Sequence, residues 1–311
     1  MTSIETPHRP FRAVGTALIT PFTPDGALDL DAAQHLAAHA VATGNDLLVV
    51  VGTTGEAPTL STREKVDLVR ATREAAGPDV DVVAGVGTYD TAHSLELVRA
   101  HEGTGIDGLL VVTPYYSKPS QEGIIAHTRA IADATDLPIM LYDIPGRSGV
   151  PLHRDTIERL AEHERIVALK DAKGDLLEAS LIMRSTGLAY YSGEDALNLP
   201  WLATGAAGIV SVVGQVAGQL EAELIRAVDA SDLPSARRAH SELAPLVEAI
   251  MTRMPGAVAA KAALQLQGVI PSAAVRLPQA PATPAQVREL AAALDAAPGI
   301  TPVDHSRRPS A

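Results

Sequence analysis

LPIMLYDIPGRSGVPLHRDTIERLAEHERIVALKD, residues 137 to 171, holds two short apolar runs on either side of one amphipathic stretch. The runs, LPIMLY from Leu137 and RIVALK from Arg165, are too short for helices and read as strands. Arg154 to His163 between them has helical spacing. A strand, a helix and a second strand form one crossover unit of a parallel sheet. The alternation extends in both directions. VGTALIT from Val14, DLLVVV from Asp46, DVVAGV from Asp81 and GIDGLLVV from Gly105 precede it, and GLAYYS from Gly187 and AGIVSVV from Ala207 follow. Leu30 to Ala42, Ser61 to Ala76, Thr91 to Glu102 and Gln121 to Ala134 supply further helical periodicity. Eight units of roughly 27 residues predict a closed (β/α)8 TIM barrel over residues 12–230, with an open doubly wound sheet as the alternative.

Past Asp229 the alternation stops. Leu233 to Thr252, Pro255 to Gly268 and Thr283 to Ala296 read as helices with no strand between them, an all-helical C-terminal domain at 231–300. Residues 1–11 and 301–311 are polar or proline-containing and are expected to be mobile tails.

The 311 residues are 46% hydrophobic and 20% charged, the balance of a globular chain. A formal charge of −12 leaves no basic surface for nucleic acid or an anionic membrane. With no cysteine, disulfides, thiolate nucleophiles and Cys-based metal sites are excluded, and a reducing compartment is permitted. The start, MTSIETPHRPF, lacks the apolar stretch of a secretory signal, so a cytoplasmic location is expected. Ala196 to Leu220 is uncharged and long enough to span a bilayer, but Asn198, Pro200, Gly205 and Gln215 suit a buried helix, strand and helix better.

In a barrel of this kind the carboxyl ends of the strands carry the chemistry. Those ends read Gly52-Thr53-Thr54-Gly55-Glu56, Thr113-Pro114-Tyr115-Tyr116, Tyr142-Asp143-Ile144-Pro145, Lys170-Asp171 and Ser192-Gly193-Glu194. All six tyrosines, at 89, 115, 116, 142, 190 and 191, fall at or just beyond expected strand ends, a placement that core packing would not select. Lys170 follows the buried run Ile166-Val167-Ala168-Leu169 and is one of only five lysines. Desolvation drives such an amine toward its neutral, nucleophilic form, whereas pairing with Glu56 or Asp171 would hold it as a structural cation. His35 and His39 have the i, i+4 spacing of metal ligands but lie on the first outer helix, where a solvated face is the better reading. Gly85-Val86-Gly87 lacks the third glycine of a dinucleotide loop, and no nucleotide cofactor or metal is expected.

VGTTGEAPTL, VTPYYSKPSQEG, LYDIPGRSG, ALKDAKGD and SGEDALNLP occur in that order at barrel spacing. With them the chain resembles the dihydrodipicolinate synthase family of pyruvate-dependent Schiff-base aldolases over about residues 12 to 300. The resemblance implies condensation of pyruvate with L-aspartate 4-semialdehyde, in lysine and diaminopimelate biosynthesis, by a homotetramer built as a dimer of dimers. By matched position Lys170 would form the pyruvate imine. Tyr142 would move protons through Thr53 and Tyr116, the latter reaching in from a neighbouring subunit. Thr54 and Gly193 would hold the pyruvate carboxylate and nearby atoms, Val210 would line the pocket through its backbone, and Arg147 would bind the aldehyde's carboxylate. N-acetylneuraminate and keto-deoxy sugar acid lyases would share Lys170 and Tyr142. A silent keto-acid-binding barrel would have lost the lysine or the relay. Asp143, Lys173 and Glu194 depart from the usual family residues. At the positions where inhibited members bind L-lysine, next to Tyr115, this chain has His93, Tyr89 and Lys65, which implies weak feedback or none.

Overall fold

A computed structural model describes residues 7–307. Eight strands, β1 Val14–Ala17, β2 Leu47–Val50, β3 Asp81–Gly85, β4 Gly108–Val112, β5 Ile139–Asp143, β6 Ile166–Asp171, β7 Ala189–Ser192 and β8 Gly208–Ser211, pair in parallel in chain order. β8 returns to β1, with Gly15 opposite Val210, and closes the barrel. The eight apolar runs are the eight strands.

Alternation along each strand divides the core. Leu47, Val49, Val83, Leu110, Met140, Tyr142, Ala168 and Val210 fill the barrel interior, whereas Leu48, Val50, Val82, Leu109, Leu141 and Ile209 face the helices. Both faces are buried, so each run reads as continuously apolar.

The helices are α1 Leu30–Ala42, α2 Thr62–Ala76, α3 Thr91–Ala100, α4 Gln121–Ala132, α5 Pro145–Ser148, α6 Arg154–Ala161, α7 Leu176–Thr186, α8 Asn198–Ala203, α9 Gly214–Asp229, α10 Leu233–Met251, α11 Gly256–Leu266 and α12 Pro284–Ala296. Their starts are set by short polar caps. Asp29 accepts from the Ala32 N–H and Asp90 from the Ala92 N–H, while Ser61 with Glu64 and Thr283 with Gln286 form capping boxes. The uncharged stretch from Ala196 is α8, β8 and the start of α9, and no helix among the described residues is long and apolar enough to cross a membrane. α10 packs along α9, and α11 and α12 pack against each other and against α10.

The tails are shorter than expected. Phe11 is 2% exposed and fills the amino-terminal end of the barrel against the Tyr191 ring, 6.5 Å away. Arg9 donates to the Ala207 carbonyl at 2.7 Å and pairs with Asp229. At the other end Val303 is buried, the Thr301 carbonyl accepts from Gln267, and the Asp304 N–H donates to Leu266. Residues 1–6 and 308–311 of those expected tails lie outside the described residues.

Candidate active site

Register brings the two principal side chains together. β5 and β6 pair with Tyr142 opposite Lys170, so both face the barrel interior at its carboxyl end. Lys170 is 4% exposed, and its Nζ lies 4.2 Å from the centre of the Tyr142 ring. Among the described residues it makes no hydrogen bond or ion pair. Burial pulls the amine down to about 8; Asp195 favours the ammonium and Arg147 opposes it. Burial also pushes the Tyr142 phenol up to about 12, against the opposing pull of Arg147 and a hydrogen bond with the Thr53 side chain.

Gly193, just past β7, leaves the lysine its room. A Cβ there would stand 2.9 Å from Lys170 Cε and 3.1 Å from the Asp171 carbonyl, which already accepts the Gly193 N–H at 2.7 Å. The carboxylates that could have paired with Lys170 are engaged elsewhere. Glu56 pairs with Lys261, and Asp171 accepts from the Lys173 and Gly174 N–H groups at 2.8 and 3.0 Å.

In front of the Tyr142 ring opens a cavity of about 460 Å³, walled by Thr53, Tyr142 and Arg147 on one side and by Lys65, Tyr89, His93 and Tyr115 further out. α5 presents Arg147 from a single turn, closed by Gly149 at φ 78 and braced by the Ser148 hydroxyl, which donates to the Ile144 and Val150 carbonyls. Thr54 and Val210 are buried at the ends of β2 and β8, outside the cavity wall. Tyr116 is not brought in. It is 90% exposed, at φ 69, and only its neighbour Tyr115 joins the wall, edge to face with Tyr89 at 5.3 Å.

Two tyrosines expected at the barrel mouth belong to the core instead. Tyr190 and Tyr191 lie within β7; Tyr190 points outward and stacks on Trp201, and Tyr191 points inward and donates to the Phe11 carbonyl at 2.6 Å. The departing residues Asp143 and Lys173 also lie off the cavity. Asp143 accepts from the Leu152 N–H, and burial lifts its carboxyl to about 7; Lys173 pairs with Glu178. Glu194 is half-buried, and burial together with Asp195 raises its carboxyl.

Sequence reading missed two supporting groups. Asp195 is fully buried, accepts from the Ser211 hydroxyl and the Val212 N–H, and neighbours Glu221, which Asn198 holds at 3.1 Å. Burial raises both carboxyls, and Asp195 raises that of Glu221 further, so at neutral pH the pair favours keeping a proton. Its place two residues past Gly193 was the available signal. The other is Lys261, a lone cation in the apolar AVAAKAALQL of α11.

Comparison with known proteins agrees with this geometry. The Dihydrodipicolinate synthetase family matches residues 10–297. A 4-hydroxy-tetrahydrodipicolinate synthase of Kineococcus radiotolerans is 59% identical over 95% of this chain and 96% of its own. One of Streptomyces coelicolor is 55% identical over 93% and 96%. The crystal structure of dihydrodipicolinate synthase from Cyanidioschyzon merolae with lysine bound superposes with a TM-score of 0.89 at 42% identity, covering 93% of this chain and 99% of that one. This barrel, with a buried unpaired lysine against the ring of a tyrosine that lines its cavity, is an enzyme of the dihydrodipicolinate synthetase family.

Proposed function

We propose that the chain condenses pyruvate with L-aspartate 4-semialdehyde through an imine on Lys170, giving 4-hydroxy-tetrahydrodipicolinate for lysine and diaminopimelate synthesis. The carrying observation is the Lys170 amine, buried but for a small accessible surface, unpaired and poised over the Tyr142 ring. With its acidity near 8, a usable fraction is free base at neutral pH. The amine adds to the keto carbon of pyruvate and water leaves, forming the imine. A proton then leaves the pyruvate methyl to give an enamine, whose carbon bonds to the aldehyde carbon while the aldehyde oxygen gains a proton. The substrate's own amino group displaces Lys170 from the imine carbon and closes the ring.

Tyr142, near 12, is a proton donor rather than a standing base, so protons must leave it and return in concert. Thr53 supplies the adjoining hydroxyl, and Thr54 and Gly193 hold the pyruvate carboxylate, with the Val210 backbone lining the pocket. Arg147, the guanidinium on the cavity wall, suits the carboxylate of the aldehyde. Tyr116 is spread into solvent on a left-handed residue, which supports a role completed by a second copy in a dimer of dimers. We place the reaction in the cytoplasm, consistent with a chain free of cysteine.

Borohydride reduction with pyruvate, followed by mass mapping, should put the adduct on Lys170. An adduct on another lysine, or none, overturns the assignment, and a preference for sugar-derived aldehydes would move the enzyme to the sugar acid lyases.

A further inference from the structure

The turn that carries Thr53 and Thr54 is bounded by two non-glycine residues in the left-handed region, Val51 at φ 54 and Glu56 at φ 53. Side chains disfavour that conformation, so the surroundings must hold it. Within the turn the Gly55 N–H donates to Gly52 and the Glu56 N–H to Thr53, both at 3.1 Å, and on the barrel side the Thr20 hydroxyl donates to the Gly55 carbonyl at 2.6 Å. The Glu56 carbonyl also accepts from the Thr59 N–H and hydroxyl, both at 2.9 Å, and a restraint on the Glu56 side chain comes from the C-terminal helices. Lys261 on α11 reaches across the chain and donates to Glu56 Oε1 at 2.5 Å, with the two side chains 0% and 3% exposed.

The lysine is itself held in place. It donates to the Ala274 carbonyl at 2.7 Å and sits 4.1 Å from the centre of the Phe22 ring. Glu56 Oε2 accepts the Arg276 N–H at 3.0 Å, and the Arg276 guanidinium continues to the carbonyls of Thr59 and Gly26, 4.3 Å from the same ring. A dry ion pair is a poor source of net stability compared with apolar packing. What it supplies is a fixed carboxylate, and here that carboxylate belongs to the residue that ends the substrate turn.

We infer that Lys261, acting through Glu56, is a positioning residue. The C-terminal helical domain sets where the Thr53 and Thr54 hydroxyls stand and is thereby part of the active site's framework. The inference rests on the roles proposed above for those threonines. It separates from simple stabilisation because a partly unfolded enzyme loses active molecules without changing the Michaelis constants of the rest.

The test uses the full-length enzyme with Lys261→Met, Glu56→Gln, Lys261→Arg and the double variant Lys261→Met/Glu56→Gln, which removes both charges and carries the test if the single variants do not fold. Amide exchange of residues 52–57 should quicken by at least about tenfold more than that of β5 and β6 in the variants lacking the ion pair. The KM for pyruvate should rise by about fivefold or more while that for the aldehyde stays within about twofold, and Lys261→Arg should recover part of the loss. Exchange in the turn that quickens no more than that of β5 and β6, together with an unchanged pyruvate KM, overturns the inference. If the parent enzyme forms no borohydride adduct with pyruvate, the functional reading fails, and the exchange measurement alone then decides the positioning.

Discussion

Two buried lysines share almost every local property and differ in one. Lys170 and Lys261 are both buried, both pulled down to about 8 by burial, and both lie over an aromatic ring, at 4.2 and 4.1 Å. Lys261 has a carboxylate and a carbonyl to donate to; Lys170 has neither. Burial alone therefore does not make a nucleophile. The absent partner does, because a carboxylate beside an amine favours the ammonium, which has no lone pair to offer a carbonyl carbon.

Exchanging the lysines for apolar residues should break the comparison most widely. Lys170→Ala should leave less than about one thousandth of parent turnover and no borohydride adduct, with the fold intact. Appreciable turnover in that variant would remove Lys170 from the mechanism. In stability the order reverses. Lys170→Met should be at least as stable as the parent in denaturant unfolding, since it removes a buried cation without stranding a partner. Lys261→Met leaves Glu56 charged and dry and should cost about 3 to 5 kcal/mol. Equal stabilities would mean that the ion pair is not the distinguishing feature.

Arg147→Ala comes next in size. Losing a charge-assisted carboxylate contact costs roughly 2 to 4 kcal/mol, so the KM for the aldehyde should rise far more than that for pyruvate. Equal effects on both would argue that Arg147 acts on the lysine, which it already opposes electrostatically, rather than on the second substrate.

The two lysines also mark how far the sequence could be read. Apolar runs located all eight strands because a parallel barrel buries both faces of each one. Lys170 stood out because it ended such a run. Lys261 did not, because one cation in an alanine-rich helix reads as a solvated face until tertiary packing shows α11 enclosed. Tyr190 and Tyr191 were misplaced because a run's end was known only to within a residue or two, and in a strand one residue decides which face a side chain takes. The tails were drawn too long because Phe11, an isolated aromatic, carries no periodicity.

The pH dependence of imine formation separates the lysines further. For Lys170 the folded-state value near 8 lies below the ordinary 10.5, so the free amine is favoured in the fold. Trapping with pyruvate should rise about tenfold per pH unit below 8 and level off above it. The linked cost to stability is borne in full below pH 8 and fades as pH rises toward 10.5. Folded Lys261→Met should keep the same inflection. Its disappearance would assign the titration to the wrong lysine.

The smallest effect expected is that of L-lysine. An effector ammonium needs an anionic or strongly accepting partner, and the outer cavity offers few. Lys65 is buried there with its own amine, and Arg147 adds a second cation. His93 lies 3.3 Å from Glu96 and fills the place where a carboxylate would be wanted. The carboxylate on that wall, Asp90, is occupied in capping α3 through the Ala92 N–H. Tyr89 and Tyr115 are turned toward each other edge to face, which leaves their rings as apolar wall. Attraction for a second ammonium is therefore offset by repulsion at short range, where screening is least. Lysine should bind more weakly than about 1 mM, an affinity worth roughly 4 kcal/mol, and turnover at fixed pyruvate should barely fall across millimolar lysine. Saturable inhibition in the micromolar range would show that the pocket recruits a carboxylate that a single chain does not place there.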